Sequence, residues 1–367
     1  MVISYLTYGF AILWATSFGY LAQVFSRYNN GKKVPNYLFI WLSMAGLILI
    51  LGFRDISVGV DGLNYYNNYF LVNSMDLITY YQNYVTEPGF YLLYRISYFL
   101  GDAQWLFIIS AFITVFLFYQ SLSYEMDKIS LPLAVFIFAT TQYFYYFGIM
   151  RMGIAVAIIA FAYRYVIEGN KKKFLLFVFL ASMFHYSSLF ALAFIFLSRN
   201  NQKVFKKING IKIFFIIPVG FLLVKYIIFP LISAGRYQGY IESSGRFDTA
   251  FLTSLPLLVL FALNYNAFSK ISLNYQFYFL LFIINVSTEF FAPLIGLGIG
   301  RMVWYVNLSV CFLLPAIIRV NKDKNIKLLI LFITLLYCLV YSYFAYFGDS
   351  WRGQHMLPYK FFFESLN

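Results

Sequence analysis

The sequence predicts an all-α, polytopic integral membrane protein with about ten transmembrane helices and one re-entrant, or short paired, helical hairpin. Of its 367 residues, 62% are hydrophobic, 23% are aromatic and only 11% are charged, whereas a typical soluble domain has about 25% charged residues. Apolar runs of about 20 residues, the length of a membrane-spanning helix, recur along the whole chain. These observations predict one membrane domain over residues 1–367.

The positions of the charged residues and cysteines limit the classes of function that the sequence is compatible with. The net charge is +13, but the lysines cluster in short loops between apolar runs, which indicates membrane topology and not a nucleic-acid partner. Cys311 and Cys338 lie inside apolar runs, so no disulfide framework is predicted. The sequence shows no metal-ligand spacing, no phosphate-cradling glycine loop and no soluble nucleotide domain. We therefore predict neither a metal nor a cofactor.

Short lysine-rich loops mark the cytoplasmic side of a membrane and assign a side to each predicted span. The first run, 3–25, begins without a basic residue and is long enough to be a retained span, not a cleaved signal peptide. Arg27, Lys32 and Lys33 follow it, so the N-terminus and the segment after the second span, 37–52, are predicted to be external. Later spans are predicted at 104–122, 131–147, 154–166, 213–229, 250–267, 275–293, 302–318 and 328–347. External segments are predicted at 54–88, 230–248 and 349–367, with a half-buried helix over 88–100, and both termini lie outside.

The run 174–197 is open to two interpretations. It is long enough for one span, yet lysines flank it on both sides, at Lys171–Lys173 and at Lys203. A single crossing would move the lysines of 322–327 to the external side, against the positive-inside bias, so we favour a hairpin that enters and leaves from the cytoplasm. Its bend is predicted at 185–188. Each arm of about 11 residues would reach about halfway across the hydrocarbon, where a broken helix has to line a cavity or pack in protein.

Arginine and lysine separate across this topology. All lysines except Lys225 and Lys360 lie on or near the predicted cytoplasmic side. Seven arginines are predicted to be external, namely Arg54, Arg95, Arg151, Arg236, Arg246, Arg301 and Arg352. Guanidinium suits a planar, bidentate grip on phosphate or carboxylate, so this set predicts capture of a lipid-linked diphosphate. The alternative for any one arginine is snorkelling to the interface or pairing with a carboxylate.

The most concentrated polar group follows the second span. Arg54, Asp55 and Asp61 lie in one short segment, in which Gly59 and Gly62 permit tight turns near a ligand. We expect Arg54 to hold phosphate and Asp61 to orient a sugar hydroxyl or to act as a base. The alternative is a surface loop with an internal Arg–Asp ion pair.

Other side chains are candidates for proton chemistry. Glu87 precedes Pro88 at the start of the predicted half-helix and is a candidate general base, or else an acidic residue favoured by the helix N-terminus. His185 lies in the predicted bend, where a titratable side chain is a functional candidate by default. Its usual alternative is a core histidine bonded to Ser or Tyr. Glu289 and Asn285, one turn apart in an apolar span, are candidates for the same reason as His185.

Arg151 and Arg301 occupy similar positions in the sequence. Arg151 lies within the glycine-containing turn 148–153, and Arg301 is the last residue of the glycine-containing turn 296–301. An apolar span follows each turn directly. We expect both guanidinium groups to face a shared cavity, with interfacial snorkelling as the alternative for either one.

Short motifs occur in a fixed order along the chain. They are Arg54-Asp55-Ile56-Ser57-Val58-Gly59-Val60-Asp61 with Tyr65 or Tyr66, Glu87-Pro88-Gly89-Phe90, Arg151-Met152-Gly153-Ile154-Ala155, Phe184-His185-Tyr186-Ser187-Ser188, Gly300-Arg301 with Tyr305, and Pro358-Tyr359-Lys360-Phe361. In this order they resemble the EpsG family, Wzy-like polymerases of bacterial capsular polysaccharides and exopolysaccharides. The first motif is the most specific, and it departs from the family at Val60, where Thr is common.

The resemblance implies a GT-C-like membrane glycosyltransferase of the bacterial cytoplasmic (inner) membrane. Such an enzyme joins undecaprenyl-diphosphate-linked oligosaccharide repeat units on the external face and releases undecaprenyl diphosphate, without a nucleotide sugar or a cofactor. The implied partners are the lipid-linked oligosaccharide, membrane lipid, a flippase and a chain-length regulator, with no nucleic acid.

The resemblance also suggests residue roles. The predicted catalytic residues are Asp61, Glu87 and His185, one of which takes the proton of the acceptor hydroxyl. The predicted substrate-binding residues are Arg54, Arg151, Arg301, Asp55, Tyr65, Tyr66, Arg246, Tyr305 and Tyr359. A lipid-linked oligosaccharide flippase is the main rival, but a flippase needs cations along a path open to both faces, whereas these arginines concentrate on one. A membrane ligase or another lipid-dependent glycosyltransferase would share the arginines.

Overall fold

The structure, a computed structural model, describes residues 1–83, 87–197, 210–223, 226, 250–271, 274–291, 294, 301–347 and 355–365. The α-helices in these residues are α1 Val2–Val24, α2 Tyr37–Gly52, α3 Gly62–Asn73, α4 Leu77–Asn83, α5 Pro88–Phe99, α6 Gln104–Tyr124, α7 Leu131–Thr141, α8 Met150–Glu168, α9 Lys171–Ser182, α10 Gly210–Leu223, α11 Ala250–Leu263, α12 Tyr265–Ile271, α13 Asn274–Phe290, α14 Trp304–Asn307, α15 Val310–Val320 and α16 Lys324–Ser342. Shorter elements are 3-10 helices at Tyr143–Phe147, Tyr186–Leu197, Arg301–Val303 and Phe362–Ser365, a π-helical turn at Tyr343–Phe347, and an antiparallel hairpin of β1 Arg27–Asn29 and β2 Lys32–Val34.

The chain is an all-α membrane protein. Among the described residues, five helical stretches are long and apolar enough to cross a bilayer, at Val2–Val24, Gln104–Tyr124, Met150–Glu168, Arg301–Val320 and Lys324–Phe347. Shorter apolar helices accompany them, including α2 and α7. α1 packs against α2 and α7, and α6 packs between α2 and α8, so the N-terminal half forms the continuous part of the bundle.

The segment 54–88 contains two helices, α3 and α4, where the sequence predicted a loop. α3 buries Tyr65, Tyr69 and Val72 at helical spacing and packs with this face on α5. α4 follows Asp76, whose carboxylate accepts hydrogen bonds from backbone N–H groups of the first turn. The tyrosines that suggested a polar loop therefore include the buried face of an amphipathic helix.

α9 and the 3-10 helix Tyr186–Leu197 form two arms that pack against α8. In the first arm the ring of Phe177 lies 5.1 Å from that of Phe161, near the end of α8. The chain then turns immediately after α9, beside the start of α8. In the second arm the ring of Phe194 lies 6.3 Å from that of Tyr163, so this arm runs back along α8. Residues 174–197 thus form paired arms and not one straight helix. Their bend reaches the start of α8, whereas the sequence predicted a bend about halfway across the hydrocarbon.

The last described segment, 355–365, returns to the first two helices. The Tyr8 hydroxyl of α1 donates to the Met356 carbonyl at 2.7 Å. Just after α2, the Asp55 N–H donates to the Lys360 carbonyl at 2.9 Å. The start of α1, the end of α2 and the C-terminal segment therefore lie together at one end of the bundle.

The opposite end is held by a buried carboxylate. Glu125 follows α6 and accepts from the Asn274 amide at 3.1 Å and from the Lys128 ammonium at 3.0 Å. At the other end of α6, the Gln104 amide donates to the Arg54 carbonyl at 3.2 Å. α6 thus connects the two ends, with Asn274 and the turn after α6 at one end and Arg54 at the other.

Gly59 makes a close backbone approach at the Arg54 end. Its φ is +96°, and a Cβ there would lie 2.5 Å from the Phe147 carbonyl oxygen. Gly101 has a similar φ of +91° but nothing within 4 Å of a Cβ, which makes it a matched control.

We expect Gly59→Ala to destabilise the protein more than Gly101→Ala. Both substitutions carry the left-handed backbone cost of about 1–2 kcal/mol, but only Gly59→Ala adds overpacking worth about 1–3 kcal/mol. Thermal unfolding of the detergent-purified protein should therefore show a midpoint about 1–4 °C lower for Gly59→Ala than for the control. Equal midpoints would show that this contact does not constrain the fold.

Candidate functional site

Arg54 lies inside the protein with 0% of its surface exposed. Its guanidinium donates to the carbonyl oxygens of Leu51 at 2.5 Å, Val58 at 3.0 Å and Phe147 at 2.7 Å. The rings of Phe107 and Phe147 flank it at 5.0 and 4.9 Å. Burial lowers the pKa of Arg54 to about 10, so it stays charged at neutral pH. The predicted direct grip on a diphosphate does not fit this position, because backbone carbonyls occupy the guanidinium and no surface is exposed.

Arg54 instead joins three segments of the chain. Leu51 is near the end of α2, Val58 belongs to the following turn, and Phe147 ends the 3-10 helix that precedes α8. Arg151 lies in the first turn of α8, four residues beyond the bonded carbonyl. Arg54 with its three carbonyl partners, which we call the Arg54 junction, thereby positions the start of the helix that carries Arg151.

Asp55 and Tyr359, both predicted to contact substrate, lie beside the Arg54 junction. The Asp55 carboxylate accepts from the Ser57 N–H at 2.9 Å and from the Ser57 hydroxyl at 2.5 Å. Tyr359 is buried, and its hydroxyl donates to the Ile50 carbonyl at 3.1 Å. These contacts assign both side chains to the local framework.

A second group of predicted residues converges on Arg151. The Glu87 carboxylate pairs with the Arg151 guanidinium at 2.9 Å. Its other oxygen accepts from the Tyr186 N–H at 3.4 Å. The Arg151 side chain is 35% exposed, whereas that of Glu87 is only 7% exposed. The N-termini of α5 and α8 and the bend after α9 therefore meet at one ion pair.

Gly89 explains how α5 approaches this bend so closely. Its N–H donates to the Met183 carbonyl at 2.7 Å, and a Cβ at Gly89 would lie 2.8 Å from that oxygen. The glycine after Glu87-Pro88 thus permits the backbone contact that brings Glu87 to the hairpin.

His185 lies in the bend, outside the candidate spanning helices, and is bonded as the sequence alternative foresaw. Its Nδ1 accepts from the Ser187 N–H at 3.3 Å and lies 2.6 Å from the Ser187 hydroxyl. The Ser187 hydroxyl in turn lies 2.9 Å from that of the buried Tyr305. Because a backbone N–H can only donate, Nδ1 is an acceptor and the neutral ring carries its proton on Nε2.

The charge state of His185 follows from its surroundings. Burial, and then the positive charges of Arg151 and Arg301, lower the pKa of His185 to about 4. His185 is therefore neutral at physiological pH, with Nε2–H as a hydrogen-bond donor.

Arg301 adds a second cation to this group. It lies in the 3-10 helix Arg301–Val303, is exposed, and acts electrostatically on His185. The Tyr163 hydroxyl donates to the carbonyl of Tyr305, which holds the segment after Arg301 against α8. We call Glu87, Arg151, His185, Ser187 and Tyr305 the Arg151 cluster, and Arg301 lies at its edge.

The first turn of α3 flanks the Arg151 cluster. The buried hydroxyl of Tyr65 lies beside the Arg151 guanidinium and within electrostatic range of Asp61, one turn earlier. Asp61 is half-buried and accepts from the Asn64 amide at 3.3 Å. Tyr66 packs edge-on against Phe70 with ring centroids 5.0 Å apart. Tyr65 thus contacts the cluster at Arg151, while Asp61 and Tyr66 lie at its margin.

Ser187, which lies between His185 and Tyr305 in the structure, was not singled out from the sequence. It lay within a recognised motif, but only the two-residue spacing from His185 in a predicted bend could have indicated the contact. Arg246 lies outside the described residues. In the described part of the chain, no group of three or more His, Cys, Asp or Glu side chains could hold a metal ion.

One comparison with known proteins gives a match, and that match covers the residues of this site. Searches of curated proteins and of solved structures return no match. A family model described as the EpsG family matches residues 10–361, a span that includes the whole Arg151 cluster. The general role of this family is that of a Wzy-like polysaccharide polymerase. Because the match covers nearly all of the sequence, this chain belongs to the EpsG family.

Proposed function

We propose that the chain joins undecaprenyl-diphosphate-linked oligosaccharide repeat units on the external face of the bacterial cytoplasmic membrane and releases undecaprenyl diphosphate. The observation that carries this proposal is the convergence of Arg151, Arg301, Glu87 and a neutral His185 at one end of the bundle. The lysine distribution supports the external assignment of that end, because lysine-rich short loops favour the cytoplasmic side.

The diphosphate lies between Arg151 and Arg301 in this proposal. Arg151 is partly exposed in the first turn of α8, where the helix dipole also favours an anion. Arg301 is exposed on the adjoining segment. A diphosphate is already a good leaving group, so charge stabilisation matters more than protonation as the bond to it breaks.

Glu87 is the general base of the proposed reaction. The acceptor sugar hydroxyl attacks the anomeric carbon of the donor chain, and its proton moves to Glu87. The new glycosidic C–O bond forms as the C–O bond to the diphosphate breaks, and the electron pair leaves with the phosphate. Attack from the opposite face makes the displacement inverting. Engagement of Arg151 by phosphate weakens its hold on Glu87, which makes the carboxylate a better acceptor.

His185 and Asp61 position the reactants. The neutral His185 ring offers Nε2–H to a phosphate oxygen, while Ser187 and Tyr305 hold the ring in place. Asp61, half-buried at the margin of the cluster, accepts a hydrogen bond from a sugar hydroxyl. Arg54 acts through the start of α8 and not through contact with substrate.

We expect Arg151→Gln and Arg301→Gln each to abolish polymer and to leave single-repeat lipid-linked units. Removal of one transition-state charge contact lowers catalytic rates by about 10²–10³-fold. Arg95→Gln is the matched control, because Arg95 is another exposed arginine, on α5. The measurement is gel analysis of polymer and lipid-linked products in cells that carry each variant.

Persistence of long polymer in both variants would contradict the diphosphate role. The same purified proteins in detergent, with one lipid-linked repeat as sole substrate, separate the rival functions. A ladder of polymer supports a polymerase, transfer to a second acceptor supports a ligase, and transport without chemistry in vesicles supports a flippase.

We expect His185→Asn to lower the rate without changing the shape of the pH profile between about pH 5.5 and 8. With a pKa of about 4, His185 is neutral throughout this range. The depressed pKa also means that the unfolded state binds more protons between pH 6.5 and 4, so folded stability falls as pH drops through this window. His185→Asn should reduce that acid sensitivity in thermal unfolding. A wild-type activity step near pH 6.5 that disappears in His185→Asn would contradict the neutral-donor role.

A further inference from the structure

A second group of polar and aromatic side chains lies at the same end of the bundle, and the chemistry above does not use it. It is formed by Tyr145 of the 3-10 helix before α8, Glu289 of α13, Trp304 of α14, and Tyr337 and Tyr341 of α16. We call it the Glu289 cluster. Four separate elements contribute to it, so it is a product of the tertiary fold.

The aromatic members form an ordered, partly accessible surface. The Tyr145 and Trp304 rings have centroids 3.8 Å apart at 76°. The Tyr145 hydroxyl lies 2.8 Å from that of Tyr341, and the Tyr341 ring lies 5.7 Å from the ring of Tyr337. Tyr145 is buried behind the others, whereas Trp304, Tyr337 and Tyr341 are half-buried. The buried Tyr145 thus contacts both Trp304 and Tyr341, whose rings are partly exposed.

A carboxylate and an amide lie beside this surface. Glu289 is half-buried near the end of an apolar helix, accepts from the Ser254 hydroxyl at 2.7 Å, and acts electrostatically on Tyr337. One turn earlier, Asn285 is 1% exposed, and its Oδ1 has no hydrogen-bond partner within the described part of the chain. Ionisable residues in apolar helices usually mark functional positions, and a buried acceptor without a donor is costly.

The Glu289 cluster is continuous with the proposed diphosphate site. Trp304 lies one turn after Arg301, and Tyr305, the next residue, contacts Ser187 in the Arg151 cluster. One short segment therefore presents a cation, an aromatic face and a hydroxyl in succession. A ligand with its diphosphate at Arg301 would extend its next group toward Trp304.

We infer that the Glu289 cluster is a saccharide subsite, which binds a sugar ring of the lipid-linked oligosaccharide next to the diphosphate. This inference rests on the proposed function. The apolar C–H face of a sugar ring packs on an aromatic side chain, while its hydroxyls donate to carboxylate and amide oxygens.

The test uses two probes that each carry half of the substrate. One is the oligosaccharide repeat released from its lipid by mild acid, and the other is undecaprenyl diphosphate without sugar. Binding to full-length protein in nanodiscs is measured for wild type, Glu289→Gln, Trp304→Phe and Arg301→Gln. Glu168→Gln is the control, because Glu168 is an exposed carboxylate at the other end of α8 that also accepts from a hydroxyl, that of Tyr124.

Glu289→Gln should weaken oligosaccharide binding by about tenfold or more, the effect of one charge-assisted hydrogen bond, and leave undecaprenyl diphosphate binding unchanged. Trp304→Phe should weaken binding of the oligosaccharide in the same selective way, and it serves as the test if Glu289→Gln does not fold. Arg301→Gln should show the reverse selectivity.

The inference is overturned if the wild type does not bind the oligosaccharide or if Glu289→Gln binds it as well as Glu168→Gln does. Equal losses for both probes would also overturn it, because they would indicate a general structural role. Failure of the proposed function looks different: the wild type would bind the oligosaccharide but not undecaprenyl diphosphate, and the saccharide subsite would stand.

Discussion

The candidate site depends on three hydrogen bonds that the buried Arg54 guanidinium donates to backbone carbonyls. A buried charged group needs hydrogen-bond partners, and each of the three nitrogens of Arg54 donates to a carbonyl, those of Leu51, Val58 and Phe147. Leu51 and Val58 are close to Arg54 in sequence, whereas Phe147 lies 93 residues away. The junction therefore fixes the end of α2 relative to the start of α8, and with it the position of Arg151.

The arginines at this end of the bundle divide into two kinds. Arg54 is buried and donates hydrogen bonds to backbone carbonyls. Arg151 and Arg301, in contrast, retain exposed surface near the Glu87 carboxylate and the neutral His185. Such a division suits an enzyme whose leaving group is a diphosphate, because a rigid frame keeps the cationic groups in place before the charge develops. In the proposed reaction, the aromatic Glu289 cluster offers a distinct surface to the sugars.

Much of this architecture could be predicted from the sequence, because hydropathy and helix ends are local properties. α2 has the predicted bounds, and the Arg151, Glu87 and His185 motifs meet in space. The burial of Arg54 could not be predicted, since a polar turn after a span looks the same whether its guanidinium meets a ligand or the Phe147 carbonyl 93 residues away. α3 escaped prediction because its buried face consists largely of tyrosines, which also suit an exposed loop.

The most direct test is an experimental structure of the full-length protein in nanodiscs with undecaprenyl diphosphate bound. The proposed arrangement predicts phosphate oxygens within hydrogen-bond distance of the Arg151 and Arg301 guanidinium groups. Arg54 should remain bonded to the Leu51, Val58 and Phe147 carbonyls in that complex. Phosphate bound to Arg54, or bound at the Glu125 end of the bundle, would contradict the division between a structural arginine and two ligand-binding ones.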